Sequence, residues 1–123
     1  MIAGGTGLTP MLQVMRAIAN NKEDHTNVSL LYANSTEQDI LMRDELARIQ
    51  DMNHNVQVHH IISRPTDTWT GLRGHINHRM IHELLPSPSK DVLILVCGPP
   101  SFHTTMTALL ADTAYNDECI FHF

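Results

Sequence analysis

Four groups of residues in this chain have types and spacing suited to chemistry. The first is Gly4-Gly5-Thr6-Gly7-Leu8-Thr9-Pro10, near the amino end. Glycine has no Cβ, so such a turn reaches conformations closed to other residues and lets a ligand approach the backbone. Thr9 is placed to cap a following helix through its hydroxyl, with Pro10 at the first helical position, where a missing N–H costs nothing. The unpaired N–H groups of that first turn, at the positive end of the helix dipole, form an anion site. The expected ligand is a pyrophosphate. The same residues would also serve as a plain tight turn between strand and helix. As a dinucleotide fingerprint the loop is imperfect, because Pro10 stands where a third glycine belongs.

The second group is Cys97-Gly98-Pro99-Pro100, a further glycine loop. Cys97 has the chemistry of a nucleophile, but no base or orienting partner can be assigned to it, and buried cysteine is commonly inert. The third is Ser63-Arg64, a hydroxyl beside a guanidinium, ahead of Pro65. That pair suits a phosphate, since arginine donates charge-assisted, fork-shaped hydrogen bonds. A solvent-exposed arginine before a proline turn is the plainer alternative. The fourth is His78 and His82, spaced i, i+4 as metal ligands on one helix face are. The Glu of an HExxH site is missing and no third ligand is evident, so no metal is expected.

The elements that position these residues follow from hydrophobic periodicity. Met11, Met15 and Ile18 recur at helical spacing from Pro10 to about Asn20, and Val28 to Ala33 is an apolar run suited to a buried parallel strand. Ser35 or Thr36 can cap a second helix carrying Met42, Leu46 and Ile49. Val56 to Ile62 is a third strand, ending at Ser63. The stretch Thr66 to Gly74, with Trp69, is expected to be a loop, in which Trp69 either covers a ligand or packs on the sheet. His78 to Leu85 forms a short helix stopped by Pro86, and His75 falls near the rim of any cleft. Val92 to Val96 is the most apolar strand, Ser101 to Thr113 is helical, and Cys119 to Phe123 closes the chain as a strand.

Strands alternating with helices predict an α/β fold, a three-layer doubly wound parallel sheet of about five strands in the order 3-2-1-4-5, with helices on both faces. Ligands of such sheets bind outside the carboxyl ends of the strands, where the chain order reverses. If the first and fourth strands are neighbours, their two glycine loops flank one crevice.

Composition sets the bounds. The 123 residues are expected to form one domain. A net charge of −5 argues against a general nucleic-acid surface, and no run approaches the roughly 20 apolar residues of a membrane span. Cys97 and Cys119 fall in separate predicted strands, unlike a disulfide framework, which suggests a reducing, intracellular setting. Only Met1 to Ala3 precede the first glycine turn, short for a strand, so the chain is expected to be a fragment of a longer one.

Taken together, Ile2-Ala-Gly-Gly-Thr-Gly-Leu-Thr-Pro-Met11, Leu31-Tyr-Ala-Asn-Ser-Thr-Glu-Gln-Asp-Ile-Leu41, Cys97-Gly-Pro-Pro100 and terminal Phe123 resemble the pyridine-nucleotide half of cytochrome b5 reductase, within the ferredoxin–NADP reductase superfamily. The resemblance runs the length of the chain, and two such loops about ninety residues apart are more specific than either alone. It implies an N-terminal FAD-binding β-barrel ahead of this domain, hydride transfer from NADH or NADPH to FAD, and delivery of single electrons to cytochrome b5 or a similar haem acceptor. The barrel's Arg-x-Tyr-Ser/Thr motif is absent here. The fragment alone is then not expected to be active. The parent would be cytoplasmic, or on the cytosolic face of a membrane through its missing part.

Carried over by residue, the resemblance places Gly5, Thr6, Gly7 and Thr9 at the pyrophosphate and Cys97 beside the nicotinamide. Gly98 and Pro99 shape that floor, Phe102 lies against the adenine side, and Phe123 lies near the flavin–nicotinamide junction. One departure bears on specificity. NADH-preferring relatives tend to carry an acidic residue where this chain has Ser63, followed by Arg64. That pair is similar to one in NADPH users, so NADPH acceptance is expected. The reductase segment of a nitrate reductase shares these motifs and is the alternative enzyme reading. A non-catalytic nucleotide-binding module is the third.

Overall fold

Six parallel strands form one sheet in the computed structural model, which describes residues 1–123. They are β1 (Ile2–Gly4), β2 (Val28–Asn34), β3 (Val56–Ile62), β4 (Leu72–Arg73), β5 (Ile94–Cys97) and β6 (Ile120–His122). Their spatial order is β4-β3-β2-β1-β5-β6. The expected 3-2-1-4-5 arrangement is present, with one addition: the stretch from Thr66 to Gly74, expected to be a loop, contributes a two-residue edge strand beside β3. Trp69 explains the difference. It is buried against the sheet, and its indole N–H donates to the Leu72 carbonyl at 2.9 Å, folding the segment back. Gly74 N–H then donates to the Ile62 carbonyl at 2.8 Å.

The helices are α1 (Leu8–Ala19), α2 (Arg43–Met52), α3 (His78–Leu84) and α4 (Pro100–Ala111). Side chains alternate across each strand and so feed two cores. On one face Leu30, Tyr32 and Leu95 meet Met11 and Met15 of α1 and Leu46 and Ile49 of α2. On the other, Leu31, Ile94 and Val96 meet Ile81 of α3 and Met106 and Leu110 of α4. This is the expected three-layer arrangement.

Two helix starts differ from expectation. Gly5–Gly7 forms a 3-10 turn that runs directly into α1, so Gly7 takes the cap position and no side chain caps the helix. Thr9 lies inside the first turn with its side chain exposed. Thr36 does cap, but it caps a separate 3-10 turn, Glu37–Asp39, with Asp39 answering it in a reciprocal box. The main helix α2 begins only after Met42, which adopts a left-handed conformation at φ 52°.

Candidate functional site

Strand β1 is central, between β2 and β5, and the direction of winding reverses there. In register, Gly4 lies opposite Ala33 and Ala3 opposite Cys97, so the loops after β1 and β5 leave the sheet side by side. They touch. A Cβ on Gly7 would overlap the Cys97 carbonyl and crowd the Gly98 amide. A Cβ on Gly4 would meet the Phe102 ring at 2.9 Å, and one on Gly98 would meet the same ring at 2.5 Å. Phe102 is therefore wedged over both loops, and glycine at these three positions is demanded by packing. Gly5 is different. It has φ +54° and no heavy atom within 4 Å of where a Cβ would stand, because it faces open space.

That space is a cleft of about 900 Å³ across the carboxyl ends of the strands. Gly4, Gly5 and Thr6 form its middle, Asn34, Ser35 and Ser63 one end, and Pro99 and Phe102 the other, with Gly74 and His75 on the rim. Ser63 is held there by backbone: its N–H donates to the Asn34 carbonyl at 3.1 Å, and the Arg64 N–H donates to the Ser35 carbonyl at 2.8 Å. The Arg64 side chain is exposed and pairs with no carboxylate.

Of the residues singled out in the sequence, Gly5, Thr6, Ser63, Pro99 and Phe102 line the cleft. Gly7 and Gly98 support it from beneath. Thr9, Arg64, Cys97 and Phe123 are not part of its wall. For Cys97 the reason is strand alternation: its side chain continues the side of Leu95 and packs toward the α1 core, whereas the cleft leans toward α4. Phe123 is on the same side as Cys97. The register pairs Leu95 with Phe121, and the Phe123 N–H donates to the Val96 carbonyl at 3.0 Å. Phe102 sits at the Gly98 end, over the two glycine loops, and away from Ser63.

Several site residues carried no signal in the sequence. Tyr32 is fully buried, and its hydroxyl donates to the Gly5 carbonyl at 2.9 Å while accepting from the Leu41 N–H at 3.3 Å. Burial pushes the Tyr32 phenol above its ordinary value, so it stays a neutral donor that pins the first loop. Asn34 is buried beside that phenol, yet neither of its amide atoms completes a hydrogen bond within the protein. Only the β1–β2 register, which sets Tyr32 opposite Ala3, brings these groups beneath the loop.

Chemically, the arrangement is an anion cradle. The 3-10 turn Gly5–Gly7 takes up the Leu8 N–H, so the open amides are those at the start of that turn, ahead of a 12-residue helix with no acidic residue in its first turn. Residues 1–108 match the model of a family described as the oxidoreductase NAD-binding domain. The chain belongs to that family.

Among relatives, NADH-cytochrome b5 reductase 1 of Mortierella alpina is 42% identical over 116 residues, covering 94% of this chain and 39% of its own length. The corresponding protein of Dictyostelium discoideum is 40% identical, covering all of this chain and 43% of its own length. Among solved structures, the cytochrome b5 reductase domain of Ulva prolifera nitrate reductase superposes with a TM-score of 0.93 at 38% identity, over 100% of this chain and 48% of that one. The chain spans about two fifths of the length of the curated relatives it matches. As a member of the NAD-binding family it has the glycine cradle in the expected place, at the switch between β1 and β5.

Proposed function

We propose that this chain is the pyridine-nucleotide domain of an FAD-dependent cytochrome b5 reductase. The carrying observation is the contact between the two glycine loops, which closes the floor of the cleft at Gly7 and Cys97. Two further features fit a dinucleotide: the open side of Gly5, which leaves room for a pyrophosphate, and the orphaned amide of Asn34, which wants a partner. Gly5, Thr6 and Gly7, in the 3-10 turn ahead of α1, hold the pyrophosphate, with Thr9 on the exposed side of the next turn. Ser63 meets the adenosine ribose, and Arg64, unpaired at that end, reaches a 2′-phosphate, so NADPH is accepted alongside NADH.

The nicotinamide end passes over Gly98 and Pro99 toward Cys97. Cys97 lies beside that path, with its carbonyl against Gly7 under the cleft, and forms no covalent bond, because the cofactor carries the chemistry. When bound, the nicotinamide supplies a hydride to the flavin. Phe121, Phe123 and Leu93 are exposed on this same side, and the two phenylalanine rings meet edge to face at 5.0 Å. This apolar edge packs against an FAD domain of the same protein, with Phe123 at the flavin–nicotinamide junction. The onward electron acceptor is cytochrome b5 or a similar haem domain. No helix is long and apolar enough to cross a membrane, and the free thiols of Cys97 and Cys119 suit a reducing, cytoplasmic setting.

The test is a calorimetric titration of the chain with NADH, NADPH and 2′-phospho-AMP. Binding of both dinucleotides is expected, with measurable binding of the fragment that carries the 2′-phosphate. Absence of binding by all three would leave the non-catalytic reading. The superposition on a nitrate reductase domain favours a second parentage, the reductase segment of a nitrate reductase, which uses the same cleft in the same way.

A further inference from the structure

A pair of histidines outside the cleft links the Cys97–Gly98 loop to the last strand. His103 lies in the first turns of α4, and its Nδ1 is 3.0 Å from Nδ1 of His122, on β6. The other nitrogen of His103, Nε2, accepts from the Gly98 backbone N–H at 3.3 Å. These contacts fix the tautomers. An accepting Nε2 carries no proton, so the proton of neutral His103 is on Nδ1 and is donated to His122. His122 must then accept at Nδ1 and carry its own proton on Nε2, toward solvent. A metal ion bridging the two Nδ1 atoms would require the proton of His103 to move to Nε2, against the Gly98 N–H. The pair is a hydrogen-bond relay and not a chelate.

Its position gives it a role. His122 stands between Phe121 and Phe123, with alternation setting it on the α4 side and both rings on the other. Gly98 belongs to the floor under the nicotinamide end of the cleft, and its Cα is covered by Phe102. We infer that His103 and His122 are a positioning pair: they transmit the placement of the terminal strand, and of whatever docks on Phe121 and Phe123, to the Gly98 amide beside the nicotinamide. The consequence for hydride transfer rests on the proposed dinucleotide reading, whereas the linkage itself does not. Neither residue touches the reacting atoms. Their effect is on geometry, to which transfer between aligned rings is steeply sensitive.

The linkage is tested by imidazole and amide nitrogen NMR on the chain at neutral pH. His103 is expected as the Nδ1–H tautomer. In His122→Ala, His103 should shift toward the Nε2–H form and the Gly98 amide resonance should move, while amides at Asn53 to Asn55, at the far end of the sheet, stay in place. An Nε2–H tautomer for His103 in the unaltered chain, or an unmoved Gly98 amide in the variant, overturns the linkage whether or not NADH binds. The role is tested in the complete flavoprotein by stopped-flow reduction with NADH. His122→Ala should slow flavin reduction about three- to tenfold with the KM for NADH within about twofold, as expected for lost alignment. His122→Asn, whose side-chain oxygen can still accept, should recover part of the rate. An unchanged rate in His122→Ala, with the NMR linkage present, overturns the positioning role. Loss of NADH binding in the unaltered protein would instead overturn the dinucleotide reading.

Discussion

The two ends of the cleft are built by opposite means. At the β1–β5 end the wall is backbone and glycine, with two loops in contact and Phe102 wedged over them. At the β3 end it is the hydroxyls of Ser35 and Ser63 and the His75 imidazole, with the exposed Arg64 guanidinium beside the wall. The first end tolerates almost no added atom, while the second could exchange the Ser63 and Arg64 side chains without disturbing a strand. On the proposed reading, the contrast separates what binds any pyridine dinucleotide from what chooses between two of them. It also says where substitutions should be costly.

Gly7→Ala is the strongest challenge to the rigid end. The new methyl would have to displace the Cys97 carbonyl, a backbone atom with no rotamer to escape into. Overpacking of this kind costs about 3 kcal/mol, and the melting temperature should fall by roughly 10 °C, with NADH binding lost beyond detection. A variant that melts and binds normally would show that the two loops are not in contact. By the same logic Gly5→Ala should be limited by its positive φ alone, since nothing stands near the added carbon.

Tyr32→Phe acts one layer below. Removing the hydroxyl leaves the Gly5 carbonyl and the Leu41 N–H without their partner. The expected cost is about 1–2 kcal/mol in stability. NADH affinity should drop several-fold as the loop loosens. If stability falls and affinity does not, Tyr32 supports the core without positioning the cradle.

These two positions also mark how far the sequence could be read. The loops, the sheet order and the division into two helical layers were legible because glycine spacing and hydrophobic period are local signals. Gly7 was visible as a glycine, but the atom it makes room for belongs to a residue ninety positions away, which only the register supplies. Tyr32 was simply an apolar residue in a strand. The Thr9 cap was wrong because the turn before it winds as a 3-10 helix and hands directly on to α1, leaving no extended residue for a cap to occupy. Cys97 and Phe123, both expected near the nicotinamide, fall on one side of β5 and β6. A side chain's face, however, depends on where its strand begins, and that set them beside the cleft and not in its wall.

The strand of the second end, β3, carries His59 and His60, which give the molecule a pH dependence. Burial lowers both below their ordinary value of 6.5, and for His60 the Arg43 guanidinium and His59 push further in the same direction. His59 Nε2 and His60 Nδ1 are buried without partners, and the His60 ring lies 5.9 Å from Tyr32. A histidine whose folded pKa is depressed binds more protons when unfolded, so its neutral form supports the fold above about 6.5 and that support is lost as pH falls through the folded value. Melting temperature should therefore decline on acidification below pH 6.5, and the decline should flatten in a His59→Gln, His60→Gln double variant. An equal slope in the variant would assign the acid sensitivity elsewhere.

The smallest expected effect is at the exchangeable end. Arg64→Ala removes an exposed side chain that pairs with no carboxylate, so the melting temperature should be unchanged within error. The NADH affinity should also hold, because a ribose hydroxyl can still meet Ser63. NADPH affinity should fall about five- to tenfold, the worth of roughly one exposed charge-assisted contact to a phosphate. Ser63→Asp should move the ratio further in the same direction by setting a carboxylate against the 2′-phosphate. The comparison is sharpest here because Ser63 lines the same cleft as Gly5 and Arg64 follows it directly, yet neither change should alter the melting profile. If Arg64→Ala leaves the NADPH-to-NADH ratio where it was, the selecting charge is not on this segment, and His75, on the rim beyond β4, becomes the residue to change next.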